Sequence, residues 1–252
     1  TMESVCVGNT SYANEGVTCS GCTFVHNSCY DTTGTMTPIV HWNVGGVPVE
    51  NCVIASNRTI VVSEAATVSA ASAFASSAIY GAATGLAIFD NELTVTATAA
   101  TVVDAAPVMA NPSVVCDLTL LNSTVEDNAV TVTANDGADV AVARGVLFRP
   151  AEDSTARRAL AVYNCTFMGE TAGADVVYAN PTEGGCGCVA YNCVFGTTHA
   201  TDTTPRVANL GVTSVAVGYG ALLGAATVGA NVDVSDMLVD DPLVGERTVV
   251  TE

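Results

Sequence analysis

The chain has 252 residues, which is enough for one large domain with an extensive hydrophobic core. Only 6% of the residues are aromatic, and the apolar residues are mainly alanine and valine, accompanied by many threonines. Valine and threonine are β-branched and favour strands over helices, so this composition predicts a β protein. The net charge of −18, without a single lysine, excludes nucleic acids and anionic membranes as electrostatically favoured partners.

The first segment of the chain, residues 1–50, is rich in cysteine, and its cysteines stand among glycine, asparagine and serine. Ten cysteines in the whole chain are typical of an oxidising compartment, so we expect an extracellular or cell-surface protein with loop disulfides in this segment. A zinc site is the alternative, because Cys19-x-x-Cys22 is followed by His26 and Cys29. The segment is expected to cap the fold or to dock onto another subunit. Its disulfide candidates are Cys6, Cys19, Cys22 and Cys29.

The chain from residue 65 onward contains one segment rich in small residues and several short segments of alternating polarity. Residues 65–83 are rich in alanine and serine and are compatible with a short helix, although we favour strand and loop. Apolar and polar residues then alternate over Leu93–Ala97, Val130–Thr133 and Val215–Val217. This period of two predicts short strands with one buried face.

An acidic segment, Asn-Asp-Gly-Ala-Asp at residues 135–139, follows the second of these strands. Its residue types are those that form turns, and a turn is the interpretation we favour. The alternative is a calcium ion held by oxygen ligands, for which Asp136 and Asp139 are weak candidates.

A five-residue motif occurs twice in the second half of the chain. Residues 163–167 read Tyr-Asn-Cys-Thr-Phe, and residues 191–195, 28 positions later, read Tyr-Asn-Cys-Val-Phe. Alternation along a strand predicts that the cysteine and the phenylalanine share the inner face. A repeat of about 20 to 32 residues predicts a solenoid whose coils have roughly three short strands each. Weaker copies, with or without cysteine, lie at residues 21–24, 51–54, 86–88, 115–118 and 146–148.

The Asn-Cys-x-Phe strands and the later Asp-Asp-Pro-Leu-Val of residues 240–244 resemble the repeats of secreted right-handed β-helix surface proteins. These include the polymorphic outer-membrane type and its relatives in bacteria and algae. In that broad family such a strand recurs once per coil, and an Asp-Pro-Leu-Phe-like element often marks the end of the solenoid. The resemblance covers residues 111–245. It implies an all-β fold, a right-handed parallel β-helix, which we expect to form one domain over residues 1–252.

The cysteines of the repeat have two interpretations. Equivalent positions in neighbouring coils of a β-helix lie about 4.8 Å apart, which is within the Cα separation that a disulfide spans. Cys165 and Cys193 are therefore expected either to form a disulfide between coils or to stack as buried thiols. Cys186 and Cys188 stand among glycines and are expected in loop disulfides.

Three further expectations concern processing and location. Asn9, Asn57, Asn122 and Asn164 lie in Asn-x-Ser/Thr sequons and are candidates for glycosylation. No run of 18 apolar residues occurs, so we expect no membrane insertion. Residues 1–4 lack the basic start and apolar run of a signal peptide, so a secreted protein is expected here in its mature form.

Enzymes are also found among β-helix proteins, chiefly polysaccharide lyases and hydrolases. Their sites combine clustered aspartates with calcium and a base, or with Gly-His-Gly and Arg-x-Lys elements. This chain has no lysine, and none of His26, His41 and His199 is flanked by glycines. We therefore expect no catalytic or cofactor site beyond the calcium alternative, and no enzymatic activity.

The open ends of a solenoid present strand edges that pair with a neighbour unless they are covered. We therefore favour a non-enzymatic structural protein whose copies self-associate into a homopolymer, such as a cell-surface filament, sheath or coat. One alternative is an adhesin that binds a glycan or a protein at the cell surface. The other is a polysaccharide lyase or hydrolase.

Overall fold

A computed structural model describes fourteen stretches of the chain, all of which are strands, corners or short turns without any helix. The described residues are 5–7, 19–34, 39–42, 49–76, 80–110, 117–148, 158–169, 175–179, 186–197, 206–210, 215–223, 227–228, 232–233 and 237–239.

The strands of the first half are β1 (Val5–Val7), β2 (Cys19–Ser20), β3 (Thr23–Val25), β4 (Ser28–Asp31), β5 (Val40–Trp42), β6 (Val49–Glu50), β7 (Val53–Ala55), β8 (Arg58–Val62), β9 (Thr67–Ser76), β10 (Tyr80–Thr84), β11 (Ala87–Phe89), β12 (Glu92–Ala97) and β13 (Val102–Ala110). Those of the second half are β14 (Asp117–Leu121), β15 (Thr124–Glu126), β16 (Ala129–Ala134), β17 (Asp139–Phe148), β18 (Arg158–Tyr163), β19 (Thr166–Gly169), β20 (Asp175–Ala179), β21 (Cys186–Thr197), β22 (Arg206–Leu210), β23 (Val215–Leu223), β24 (Thr227–Val228), β25 (Val232–Asp233) and β26 (Met237–Val239).

All pairs of strands are parallel, and each strand pairs with its counterpart one coil further along the chain. Sheet A has eight strands in the order β1-β5-β9-β13-β17-β20-β22-β24, and sheet C has four, β4, β8, β12 and β16. The remaining fourteen strands form sheet B, in which two rows of strands meet at β21. An all-β chain of stacked parallel coils is consistent with a β-solenoid.

Four strands form each of the first four coils, which we call coils 1 to 4: β2–β5, β6–β9, β10–β13 and β14–β17. Equivalent corner residues of successive coils are separated by 30, 34, 37 and 42 residues. The expectation of roughly three strands per coil is therefore wrong for these four coils, and the spacings of 34, 37 and 42 residues exceed the predicted range of about 20 to 32. Sheet B takes two strands from each coil, because a corner divides the chain there.

The repeated cysteine and phenylalanine positions are stacked, as predicted. Thr166 pairs with Val194 and Phe167 with Phe195, which places Cys165 and Cys193 side by side in adjacent coils. In register, the phenylalanine position is occupied by the following residues: Phe24, Ile54, Ile88, Val125, Phe167, Phe195, Leu222 and Val239. The cysteine position is filled in turn by Cys22, Cys52, Leu86, Ser123, Cys165, Cys193 and Gly220.

For two of the weaker copies of the motif, the predicted position in the coil is wrong. Residues 146–148 lie in β17 of sheet A, whereas the position of the cysteine in that coil belongs to Ser123. The copy at 115–118 fails as well, since Leu118 pairs with Leu160 in the strand before the corner. Cys116 lies outside the described residues. The cysteine-free copy at 86–88 is confirmed, because Ile88 pairs with Ile54 and Val125.

The predicted strands are confirmed, including the one rich in alanine. Residues 67–76 form β9, and its residues 68–75 are buried on both faces of the strand. The small side chains of alanine and serine allow close packing on both faces of this strand, which also buries Phe74. The alternating segments of residues 93–97, 130–133 and 215–217 lie in β12, β16 and β23.

Stacked asparagines stabilise the corner between sheets B and C. Asn27, Asn57, Asn91 and Asn128 occupy the same position in coils 1 to 4, and we call this column the asparagine ladder. The Oδ1 atom of Asn91 accepts hydrogen bonds from the backbone N–H and from Nδ2 of Asn57, at 3.2 and 2.9 Å. Nδ2 of Asn91 donates in turn to Oδ1 of Asn128 and to the carbonyl oxygen of Ile54, both at 2.9 Å. The Oδ1 atoms of the ladder therefore satisfy backbone N–H groups at the corner, outside the strands.

The residue before each member of the ladder has a left-handed backbone. The φ angles of His26, Ser56, Asp90 and Asp127 lie between 52° and 56°. Such a conformation turns the chain through the corner within one residue, at a modest cost for a residue other than glycine. The second corner, before the cysteine position, has the same geometry. Gly85 has a φ of 65° there, and a Cβ atom at Gly85 would lie 2.4 Å from Oδ1 of Asn51, so a side chain at this position would require Asn51 to move.

The cross-section of the stack changes after coil 4. Asp127 aligns with Gly169 and Ala143 pairs with Asp175, so five residues connect β19 to β20 where the previous coil uses fifteen. Five residues are too few to include a counterpart of β16. Within the described residues sheet C consequently ends at β16, whereas sheets A and B continue.

Replacing a central member of the asparagine ladder is expected to destabilise the fold strongly. Asn91→Ala removes the acceptor of Asn57 and leaves buried polar groups without partners, which costs roughly 2–4 kcal/mol of the free energy of unfolding. The matched control is Asn122→Gly, at an exposed corner with a φ of 49° that glycine adopts readily. Urea denaturation should show a change of less than about 0.5 kcal/mol for the control. Equal losses for the two variants would contradict a special role of the ladder.

Candidate functional site

The paired cysteines of the repeat lie in the core. Cys165 and Cys193 are both about 1% exposed, and no disulfide joins them in this structure. Sγ of Cys165 donates to the carbonyl oxygen of Tyr163 at 3.2 Å, and Sγ of Cys193 donates to that of Val162 at 3.4 Å. The hydrogen bond with the Cys193 side chain, followed by burial, raises the pKa of the Cys165 thiol far above its ordinary range. Cys165 is therefore protonated and poorly nucleophilic at neutral pH.

The column has a second pair of neighbouring cysteines at its other end. Cys22 precedes Thr23 and Cys52 precedes Val53, and Thr23 pairs with Val53. The backbone N–H of Val53 donates to the carbonyl oxygen of Cys22 at 2.8 Å. Cys52 is buried, whereas Cys22 is only half-buried. Sequence reasoning assigned Cys22 to a loop disulfide and did not select Cys52.

The remaining disulfide candidates do not lie in loops as expected. Cys6 is in β1, Cys19 in β2 and Cys29 in β4, while Cys186 and Cys188 belong to β21. The expectation of loop positions is wrong because parallel strands occupy most of each coil. The side chains of Cys6, Cys19, Cys186 and Cys188 lie outside the described features, and the disulfides themselves stay predictions.

The acidic segment forms a turn. The N–H of Ala138 donates to the carbonyl oxygen of Asn135 at 3.1 Å, and Gly137 has a φ of 89°. Asp136 and Asp139 are both exposed. Over the residues that the structure describes, no group of three or more His, Cys, Asp or Glu side chains is arranged to hold a metal ion. The calcium and zinc alternatives thus stay untested predictions.

The four candidate glycosylation sites differ in their surroundings. Asn57 is 1% exposed, and its Nδ2 donates to Phe24 and Asn91 within the ladder, so the folded protein has no space for a glycan there. The prediction of a glycosylation site at Asn57 is therefore wrong for the folded chain. Asn122 and Asn164 are exposed at a corner, where Nδ2 of Asn164 donates to Oδ1 of Asn122 at 3.1 Å. Asn9 lies outside the described residues.

Sequence reasoning missed the asparagine ladder, although a signal for it is present. In coils 1 to 4 an asparagine follows the phenylalanine position by three residues, as in Phe24-x-x-Asn27 and Ile54-x-x-Asn57. The two other instances are Ile88-x-x-Asn91 and Val125-x-x-Asn128. Recognising this pattern requires the correct alignment of the coils, and the variable coil lengths conceal that alignment.

The first coil ends in an open strand edge. β3 pairs only with β7 and β4 only with β8, so in the described part of the chain neither has a neighbour on its other side. The N–H of Arg58 donates to the carbonyl oxygen of Asn27. Because backbone groups alternate in direction along a strand, the N–H and C=O groups of Ser28 and Tyr30 in β4 face the open side. We call β3 and β4 together the coil-1 edge.

Apolar side chains surround the coil-1 edge. Val25 is 40% and Tyr30 50% exposed, and both are large hydrophobic residues. Inside the coil, Phe24 is half-buried, whereas Ile54 at the same position of coil 2 is completely buried. The core of coil 1 is thus incompletely covered, which makes this edge the best candidate for a contact surface.

No protein-family model, no curated protein and no solved structure matches this chain. Among the described residues there is no helix long and apolar enough to cross a membrane. The arrangement of the coils therefore provides the evidence on function.

The two ends of the cysteine column should differ in reactivity. Under native reducing conditions at neutral pH, iodoacetamide is expected to modify the half-buried Cys22 and to leave Cys165 unmodified, because alkylation requires an accessible thiolate. Mass spectrometry of the digested protein measures both modifications, and labelling in denaturant serves as the control. Rapid labelling of native Cys165 would show that its thiol is not enclosed as described.

Proposed function

We propose that this protein is an extracellular structural subunit that associates with further copies of itself through the coil-1 edge. The observation that carries the proposal is the open edge of β3 and β4 above an incompletely covered core. Unpaired N–H and C=O groups at such an edge form hydrogen bonds with any strand that is added in register. A second copy would at the same time cover Phe24 and Val25.

The proposal includes a right-handed parallel β-helix as the form of the single domain. Connections between parallel strands of one sheet are right-handed in nearly all proteins, because strand twist favours that sense. Each coil is such a connection. The resemblance to secreted β-helix surface proteins supports the same handedness and an extracellular location.

A second copy bound at the coil-1 edge would also extend the asparagine ladder. Each Oδ1 of the ladder in coils 2 to 4 accepts two hydrogen bonds from the preceding coil. Asn27 is the first member among the described residues, and its Oδ1 occupies the equivalent position at the open side. A partner with a suitable donor would extend the column. The cysteine-rich residues 1–50 include this edge and thus belong to the proposed contact.

Assembly should become stronger as the salt concentration rises. Copies with a net charge of −18 repel one another at low ionic strength, and the Debye length falls from about 10 Å at 0.1 M to about 3 Å at 1 M salt. Light scattering and negative-stain micrographs of the purified protein over this range measure the effect. Monomers at every salt concentration would contradict self-association.

A lysine at the coil-1 edge should prevent assembly. Tyr30→Lys places a charge where a partner strand would pair, and we expect the critical concentration to rise at least about tenfold, equivalent to about 1.4 kcal/mol. The control is Thr94→Lys, which adds the same charge to the same outward column of sheet C, two coils from the edge. Equal effects of both substitutions would exclude the edge as the contact.

The outer face of sheet C supports adhesion as a second candidate function. Thr94 pairs with Thr131 and Thr96 with Thr133, so hydroxyl and methyl groups repeat at the strand spacing of about 4.8 Å on this face. Such a face is suited to an extended glycan or to a protein surface. A monomer with saturable binding on a glycan or matrix array would favour this function. Release of unsaturated or reducing sugars from polysaccharide would instead indicate an enzyme.

A further inference from the structure

Cys22 and Cys52 are held next to each other by the backbone of sheet B. Thr23 and Val53 are register partners, and the Val53 N–H to Cys22 C=O hydrogen bond of 2.8 Å joins the two coils at this point. Equivalent residues of adjacent strands lie about 4.8 Å apart, and a disulfide requires a Cα separation of roughly 4.4–6.8 Å. The backbone therefore satisfies the first requirement for a link between coils 1 and 2.

The two sulfur atoms also point in the same direction. Sγ of Cys22 lies 3.7 Å from the carbonyl oxygen of Ser20, and Sγ of Cys52 lies 3.3 Å from that of Glu50. Ser20 and Glu50 are themselves register partners in sheet B. Since each sulfur approaches the carbonyl two residues before it, the sulfurs are stacked like their backbones.

This pair differs from Cys165 and Cys193 in its access to solvent. Cys165 and Cys193 are enclosed by coils on both sides. Cys22 belongs to coil 1, above which the described chain has no further strand of sheet B, and its side chain is half-buried. An oxidant in solution can therefore reach Cys22 but not the deeper pair.

We propose that Cys22 and Cys52 form a disulfide that fastens the first coil to the second. The Cys22 thiolate attacks a small disulfide such as oxidised glutathione, breaks its S–S bond and releases one glutathione thiol. The Cys52 thiolate then displaces the second glutathione and forms the Cys22–Cys52 bond. Two protein thiols are oxidised and one disulfide reagent is reduced to two thiols. The presence of such an oxidant in the protein's surroundings rests on the proposed extracellular location.

The link would stabilise the part of the stack that opens most easily. In the described part of the chain β2, β3 and β4 of coil 1 pair on one side only, so local opening is expected to begin at these strands. Closing the 30-residue loop between Cys22 and Cys52 restricts that opening. The coil-1 edge would then remain in place for an incoming partner.

Peptide mapping of the full chain after oxidation by glutathione disulfide tests the link directly. Trypsin cannot separate the two cysteines, because no arginine lies between them, so a protease that cleaves after Asp and Glu is needed. Cleavage after Glu50 and Glu64 leaves Cys52 as the only cysteine in residues 51–64. We expect this peptide to be joined to residues 16–31 through Cys22, as fragmentation spectra would show.

Cys29→Ser is the matched control, because Cys29 lies in the same coil but its register partner is Thr59. The control should keep the link, whereas Cys22→Ser and Cys52→Ser should lose it. In the linked protein, amide hydrogen exchange of Phe24 and Cys29 is expected to be slower on the order of tenfold. A Cys52 thiol that stays alkylatable after oxidation, or Cys52 joined to another cysteine, would overturn the proposal. Assembly assays on the linked protein test the proposed function separately.

Discussion

The asparagine ladder is the interaction on which the regular stacking depends. At the corner between sheets B and C the chain leaves one strand row and enters another, so its backbone groups cannot all pair with strands. Asn57, Asn91 and Asn128 supply these partners and bind one another at the same time. Buried amide groups are costly without partners, and each coil is thereby fixed at one point. Coils of 30, 34 and 37 residues consequently stay in register.

The two copies of the same three-residue sequence differ in backbone conformation along this stack. Tyr163-Asn164-Cys165 turns a corner between β18 and β19, with a φ of 52° at Asn164, whereas the same three residue types at 191–193 lie inside the continuous β21. In the described part of the chain both segments follow β16, the last strand of sheet C.

The cysteine column connects the core to the proposed contact surface. Its deep members behave as small hydrophobic residues whose thiols donate to nearby carbonyl groups, as Cys165 does to Tyr163. Its members in coils 1 and 2 lie beside the open edge, where a covalent link has the greatest effect on local opening. The apolar Val25 and Tyr30 lie on this same edge, in a chain whose surface charge is otherwise strongly negative. In the proposed assembly, stacking and association therefore use the same edge groups.

The β composition, the alternating strands and the stacking of Cys165 on Cys193 were predictable from the sequence, because a period of two and a repeated motif are local properties. The strand in the alanine-rich segment was also predicted. The coil lengths, the two strand rows of sheet B, the burial of Asn57 and the position of Cys52 beside Cys22 were not. These depend on which residues of different coils become neighbours, and variable connections between coils hide that alignment. Hydrogen bonds across coils, rather than local preference, fix it.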